Sequence, residues 1–274
     1  MGTNDTDELL LRMENIHKWY GSVHALKGVD FDVRPGEIVG LVGDNGAGKS
    51  TLIEIITGVH PQTDGEVYWK GEPIGISSVD EARNLNIETV FQDQAVVEDR
   101  TVAENVFLGR EVTKGVGPLR ILDKDRMREE AERITRDLGL EISSPDQEVR
   151  FCSGGEKQGV AIARAMYFDA DLVIMDEPTT ALAVSGVRKV LDFVEQLKAA
   201  GKSVVFISHN LPHAYSICDR FVVFSRGEKV ADVPKEETSV DELENMQAGV
   251  EDSDDPATGS DVEVSGSSET APSD

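Results

Sequence analysis

The apolar residues of this chain come in short runs broken by glycine, proline and charge, and the length and period of each run predicts its element. Leu10 to Ile16 and Val29 to Val33 read as strands of an N-terminal antiparallel section, separated by Lys18-Trp19-Tyr20-Gly21 and by Val23 to Leu26. Pro35-Gly36 turns the chain into Ile38 to Val42, a buried strand, and Lys49 to Thr57 follows as a helix whose apolar residues are Leu52, Ile53, Ile55 and Ile56. Gly58 closes that helix, and Asp64-Gly65 turns into the strand Glu66 to Trp69. Ser77 to Asn84 reads as helical, and Ile87 to Phe91 as a short strand ending at Gln92.

The period then changes. Val102 to Leu108 and Asp123 to Leu138 are helical, the second with Met127, Ala131, Ile134 and Leu138 on one face. No strand signal interrupts this stretch, so residues of about 93–166 are expected to form a helical subdomain inserted into an α/β core. Beyond it come a helix from Ser153 to about Met166, the strand Leu172 to Met175, a loop from Thr179 to Val184 and the helix Val187 to Leu197. The strand Ser203 to Ile207, a hairpin around Arg226-Gly227 and a short helix from Val240 to Gln247 complete the pattern. Residues 1–9 read as an N-terminal arm, residues 10–250 as the folded domain, and residues 251–274 as a disordered acidic tail.

One stretch carries chemistry on its face. Gly43-Asp44-Asn45-Gly46-Ala47-Gly48-Lys49-Ser50-Thr51 is a complete phosphate-binding loop between a strand and a helix, the context that the pattern requires. Its glycines let successive N–H groups point at the α- and β-phosphates, and the helix N-terminus adds partial positive charge. Lys49 is expected to reach the β- and γ-phosphates and Ser50 to ligate Mg²⁺.

With ATP and Mg²⁺ as the expected ligands, other residues take meaning. Asp176 and Glu177 end a core strand, where two carboxylates are costly without a cation and a reactant to serve. The first suits Mg²⁺ and the second the attacking water. Gln92 can reach the metal or its water, and His209 ends a strand at the same edge of the sheet as Gly43, Gln92 and Glu177. Tyr20, ahead of Trp19, is placed to stack on the adenine ring. Ser153-Gly154-Gly155-Glu156 has capping-box spacing, and it also exposes a helix N-terminus to an anion from outside the subunit.

Composition narrows the partners. The chain has 274 residues with 27 Lys and Arg against 52 Asp and Glu, a net charge of −25. Residues 251–274 hold eight acids and no base, so the folded part is itself strongly acidic. Such a charge argues against nucleic acid and against a bare anionic membrane. Acids spread throughout suggest a high-salt cytoplasm and a halophilic archaeon as source, because molar salt screens self-repulsion within about 3 Å. Cys152 and Cys218 show neither metal spacing nor a disulfide framework, which fits a reduced cytoplasm. The N-terminus lacks a signal-peptide pattern and no apolar run approaches a membrane span, so a membrane role would need a partner.

Taken together, Leu10 to Ala248 resembles an ATP-binding subunit of an ATP-binding-cassette transporter, an α/β P-loop fold with a mixed sheet, an antiparallel section and an inserted helical subdomain. The resemblance implies that Tyr20 is the adenine-stacking aromatic and Gly43 to Thr51 the Walker A loop. It makes Gln92 the loop glutamine that senses the transmembrane partner and Cys152 to Glu156 the family signature. It makes Asp176 the Walker B aspartate, Glu177 the catalytic glutamate and His209 the switch histidine. Two subunits of the family close head to tail, so Ser153 and Gly155 of one would cover the γ-phosphate on the Walker A loop of the other. The signature departs from Leu-Ser-Gly-Gly-Gln at Cys152 and Glu156, which is expected to weaken closure. Ala183 stands where Asp is usual, which bears on communication between the two sites.

The Walker A stretch and Ala103-Glu104-Asn105-Val106-Phe107-Leu108-Gly109-Arg110-Glu111 are similar to ATPases of ribose- and fructose-type monosaccharide importers, many of which fuse two cassettes. This chain holds one and would pair with itself or with a second ATPase. The expected partners are membrane-spanning permease subunits at the cytoplasmic face and, through them, an extracellular solute-binding protein. An exporter ATPase or a soluble regulatory ATPase is the alternative. The charge analysis predicts that molar KCl raises both the melting temperature and the activity over dilute buffer; equal stability and activity in the two buffers would sink the halophilic reading.

Overall fold

The computed structural model describes residues 9–90, 96–115, 120–180 and 182–248. The chain opens with the hairpin β1 (Leu11–Tyr20) and β2 (Val23–Val33). The predicted break after Ile16 is absent. The strands pair through to Tyr20 opposite Val23, so Lys18 to Tyr20 and Val23 to Leu26 are strand and the turn is Gly21-Ser22. Local register shifts absorb the polar residues that obscured the alternation.

β3 (Ile38–Gly43) leads through the glycine-rich loop into α1 (Lys49–Ile56). Then follow β4 (Asp64–Trp69), β5 (Glu72–Ile74), α2 (Val79–Asn84) and β6 (Ile87–Val90). The inserted stretch holds α3 (Val102–Val106), a small hairpin β7 (Thr113–Lys114) and β8 (Ile121–Leu122), and α4 (Lys124–Asp137). That hairpin corrects the expectation of a strand-free insert. Two-residue strands with exposed side chains give no periodic signal, and only their mutual pairing makes them strands.

The remainder comprises α5 (Gly154–Tyr167), β9 (Leu172–Asp176), α6 (Val184–Ala199), β10 (Ser203–Ile207), α7 (Leu211–Ile217), β11 (Arg220–Ser225), β12 (Glu228–Pro234) and α8 (Val240–Ala248). α6 begins three residues earlier than its apolar period suggests, and β5 and α7 were not anticipated. α7 is short, with Asn210 capping it and a proline in its first turn.

The central sheet has the order β12-β11-β3-β10-β9-β6, parallel except for β12. Its inner strands β3, β10 and β9 are buried on both faces, whereas the edge strand β12 is largely exposed. Val173, Met175, Val204 and Phe206 point into a core shared with α3 to α8, while Leu172, Ile174, Val205 and Ile207 point into a second core closed by α1 and the four-stranded sheet β2-β1-β4-β5. This double burial explains why these runs are apolar without alternation. It also brings Gly43, Asp176 and Ile207 to one edge, where ligands of open α/β sheets bind.

One guanidinium ties the two sheets together. Arg220 of β11 donates to Glu37 Oε1 at 2.8 Å, to Asp232 Oδ1 of β12 at 2.7 Å, and to the carbonyl and carboxylate of Asp32 in β2 at 2.9 and 3.1 Å. Burial alone would lower its pKa, but the bonds from Glu37 and Asp232 raise it. For Asp232, burial pushes the carboxyl up, and Arg220 and Lys229 together more than reverse this, so it titrates below its usual range.

Arg220→Met should therefore cost about 3–5 kcal/mol of stability at pH 7 by denaturant unfolding, because three carboxylates lose their counter-charge. The stability that Asp232 gains from a depressed pKa is present above the ordinary aspartate value and lost as pH falls through the folded one. The wild type should thus lose more stability than the variant on acidification below about pH 4.

Candidate nucleotide site and its relatives

The phosphate loop is shaped by what its glycines approach. Gly43 has φ 147°, and a Cβ there would lie 2.2 Å from the Phe224 carbonyl oxygen of β11. Gly48, with φ 105°, faces the Ala25 carbonyl, which a Cβ would approach to 3.0 Å. From the other side, the Arg226-Gly227 turn donates the Gly227 N–H to the Ala47 carbonyl at 2.9 Å, and Gly227 in turn accepts from Lys27 N–H at 2.9 Å. The loop is thus clamped between β2 and the β11–β12 turn before any ligand is considered.

Lys49, the first residue of α1, is 8% exposed, and its Nζ donates to the Gly43 carbonyl at 2.6 Å and the Asp44 carbonyl at 3.0 Å. Burial lowers its pKa, and the carboxylates of Glu177, Asp176 and Asp44 oppose that. A cavity of about 550 Å³ stands over the loop, lined by Asn45, Lys49, Ser50, Asp176, Glu177 and Arg226 among others. Gly46, Ala47, Gly48 and Thr51 also face it. Asp44 lies on the adjoining cavity around Ser225 and Gln247.

Across the cavity, Asp176 is half-buried and its carboxyl is pushed up by burial and by the neighbouring Glu177 charge, with Lys49 pulling it down. Two adjacent carboxylates and the Ser50 hydroxyl present hard oxygen donors, which suit Mg²⁺ better than a soft metal. Glu177 takes a left-handed backbone at φ 48°, an uncommon conformation for a residue with a side chain. It is held there by its N–H donating to the Ile207 carbonyl at 3.0 Å. Its carboxylate accepts from the His209 N–H at 2.9 Å and from Thr180 Oγ1 at 3.0 Å, and His209 Nδ1 lies 2.8 Å from Oε2. Glu177 and His209 therefore form one unit at the ends of β9 and β10.

The profile of the ABC transporter family matches residues 26–180. The chain belongs to the ABC transporter family. Over 85% of its length it is 43% identical to the xylose/arabinose import ATP-binding protein of Sulfolobus acidocaldarius, covering 92% of that protein. Over 89% it is 41% identical to the fructose import ATP-binding protein of Rhizobium meliloti, covering 96%. Ribose import ATP-binding proteins match at 34% identity in Caldanaerobacter subterraneus, where the chain spans about half the relative's length, 48%. Among solved structures, a nucleotide-free ATP-binding cassette of an ABC transporter is similar at 30% identity, with a TM-score of 0.73 over 88% of this chain and 95% of that one. A dimeric post-hydrolysis cassette bound to ADP and Pi matches with a TM-score of 0.68 at 28% identity, covering 82% of this chain and 98% of that one.

Within this cassette the expected site residues divide into groups. Lys49, Ser50, Asp176 and Glu177 converge on the cavity, and His209 joins them through its contact with Glu177. Ser153, Gly154 and Gly155 lie apart from the cavity, at the start of α5, where Ser153 Oγ accepts the Glu156 N–H and the Glu156 carboxylate accepts the Ser153 N–H at 2.7 Å. The acid that departs from the family pattern is thus engaged in capping its own helix. Gly155 is packed against Gly186 of α6, where a Cβ would come 3.2 Å from the Gly186 Cα. Cys152 is buried, and burial pushes its thiol up. Ala183 is the N-cap residue of α6 and supplies no side-chain bond there. Gln92 lies outside the described residues.

Tyr20 does not line the cavity. Its hydroxyl donates to Glu54 Oε2 at 2.9 Å, one turn beyond the loop on α1, and its ring meets the edge of His60 and the Lys18 ammonium. Trp19 is turned to the other face of the strand, stacked on His24 at 3.8 Å between ring centroids. Residues that sequence reading missed are Thr180, which orients Glu177, and Arg226 at the cavity rim. The Arg226-Gly227 hairpin was legible, but its docking on the loop depends on β3 lying beside β11.

A side chain at Gly43 must displace either β11 or the loop. Gly43→Ala should lower nucleotide affinity by at least about tenfold in fluorescent-ATP titration, together with a measurable fall in melting temperature.

Proposed function

We propose that this cassette hydrolyses ATP to power import of a small sugar, with pentoses and other monosaccharides as the substrate class, through separate permease subunits. The observation that carries the chemistry is the convergence on one cavity of buried Lys49, half-buried Asp176 and Glu177, the last bound by His209. Support for the solute class comes from relatives named for xylose/arabinose and fructose import that match along almost their full length. Solute contacts would lie in other chains, so the specific sugar is set elsewhere.

In this reading the loop N–H groups and Lys49 hold the phosphates. Ser50 and Asp176 hold Mg²⁺, with Gln92 contributing. Mg²⁺ supplies charge neutralisation of the transferred phosphoryl group.

Glu177 orients the attacking water and His209 supports the γ-phosphate side of the site. The hydrogen bonds from the His209 N–H and Thr180 keep the Glu177 carboxylate aimed. Tyr20 is the base-stacking residue, exchanging its Glu54 bond for the adenine face. Asp44, Asn45 and Thr51 complete the nucleotide-binding set with Gly43, Gly46, Ala47 and Gly48.

Ser153 to Gly155 are not among the residues lining this chain's own cavity, which supports head-to-tail pairing with a second ATPase subunit. Phe151 and Val184, 70% and 82% exposed, flank the signature and α6 starts and suit burial in that pairing. No helix among the described residues is long and apolar enough to cross a membrane, so attachment at the cytoplasmic face falls to the permease subunits. A solute-binding protein would act through those subunits.

Glu177→Gln should keep ATP affinity within about twofold while lowering turnover by at least about 10²-fold, and it should trap an ATP-bound dimer visible by size-exclusion chromatography. In cells lacking the gene, wild type but not this variant should restore uptake of one labelled sugar from a monosaccharide panel. Unchanged uptake across the panel would overturn the solute assignment, and retained turnover would remove Glu177 from its role.

A further inference from the structure

Away from the nucleotide cavity, one carboxylate is buried in the middle of the edge strand β6. Glu88 is 4% exposed, with Ile87 and Val90 of the same strand in the two cores. It stands in register with Val173 of β9, the strand that ends at Asp176. An isolated carboxylate here would be strongly unfavourable.

One guanidinium, that of Arg110, meets it, and two more, those of Arg83 and Arg164, line the same small cavity. Arg110, just after α3, brings Nη2 to 3.0 Å from Glu88 Oε1 and lays its guanidinium carbon 4.8 Å from the Phe168 ring at the end of α5. Arg164, buried within α5, donates through Nε and Nη2 to the Asn105 carbonyl of α3 at 3.1 and 2.9 Å. Arg83 comes from α2, and a Cβ on Gly109 would lie 3.0 Å from its Nη1. Burial pushes the Glu88 carboxyl up, and Arg110, Arg83 and Arg164 oppose the shift.

The same network reaches further. Asn105 is fully buried, and its amide binds the Val97 N–H at 2.7 Å, the Val97 carbonyl at 3.0 Å and the Thr101 carbonyl at 2.9 Å. Arg164 thus links α5 through Asn105 to the segment entering the helical layer.

We propose that Glu88 is a positioning residue, the shared counter-ion that fixes the helical layer bearing Ser153 to Gly155 against the strand edge leading to Asp176. The functional part of this rests on the reading that Ser153 to Gly155 close on a partner's nucleotide. α5 is a single rigid helix, and Ser153 lies about 16 Å along its axis from Arg164, so a small rotation at one end displaces the other. Misplacement of about 1 Å at a phosphate-covering group is enough to lower turnover by up to about 10²-fold.

The test compares Glu88→Gln, which keeps shape and removes charge, with Glu88→Asp, which keeps charge. In the nucleotide-free chain, Glu88→Gln should speed amide hydrogen exchange by at least about tenfold in α3 and α5 while β3 and α1 stay unchanged. Fluorescent-ATP affinity should stay within about twofold of wild type, kcat should fall about tenfold, and Glu88→Asp should recover most of it. Should Glu88→Gln not fold, Arg110→Met carries the same comparison. Exchange that rises uniformly through α1 and β3, exchange that does not change, or a loss of nucleotide affinity parallel to kcat would each overturn the proposal. A wild-type chain that fails to hydrolyse ATP would sink the functional reading alone, and the exchange result would still decide the role of Glu88.

Discussion

Burial of the Lys49 ammonium is the constraint on which the rest of the structure depends. A cation at 8% exposure needs compensation, and the molecule provides it twice. The Gly43 and Asp44 carbonyls bind it directly, and the carboxylates of Asp176 and Glu177 face it across the cavity. The first requires the loop backbone to curl over its own lysine, which only glycine at position 43 allows beside Phe224. The second requires β9 and β10 to deliver their last residues beside the loop. A parallel sheet with β10 between β3 and β9 does so.

The acidic balance of the chain gives its arginines unusual weight. Arg220 joins β2, β11, β12 and the entry to β3 through three carboxylates, and Glu88 pairs with Arg110, just after α3, on a cavity shared with Arg83 of α2 and Arg164 of α5. The two arrangements are inverse, one cation among acids and one acid among cations. Each sits where two layers meet, and each stays favourable only while most of its members are present. Exposed pairs such as Lys27–Glu228 contribute far less, being screened by solvent and salt.

The site is divided by geometry. The cavity over the loop gathers Lys49, Ser50, Asp176 and Glu177, whereas Ser153 to Gly155, at the start of α5, are not among its lining residues. The half of a composite site proposed for this helix start has an exposed Phe151 beside it. Glu156 spends its charge on the Ser153 N–H, so replacing the family's usual glutamine leaves the helix start well formed.

The sequence alone determined the phosphate loop, the two carboxylates, the histidine and the α/β order, because each is written in consecutive residues or in a run whose period reports its burial. Leu172 to Met175 and Ser203 to Ile207 are unbroken apolar runs because both faces of the strand are covered, a condition visible without coordinates. Tertiary structure alone decided what those residues touch. Nothing in the run Lys18 to Gly21 revealed a continuous hairpin, since its pairing is set by β2 and not by alternation. Nor did it reveal that Tyr20 would bind Glu54, or that Thr180 and His209 would grip one carboxylate. The Tyr20–Glu54 and His209–Glu177 contacts join residues 34 and 32 positions apart, and their geometry follows from which elements lie side by side, a property of the packed fold and not of any local window.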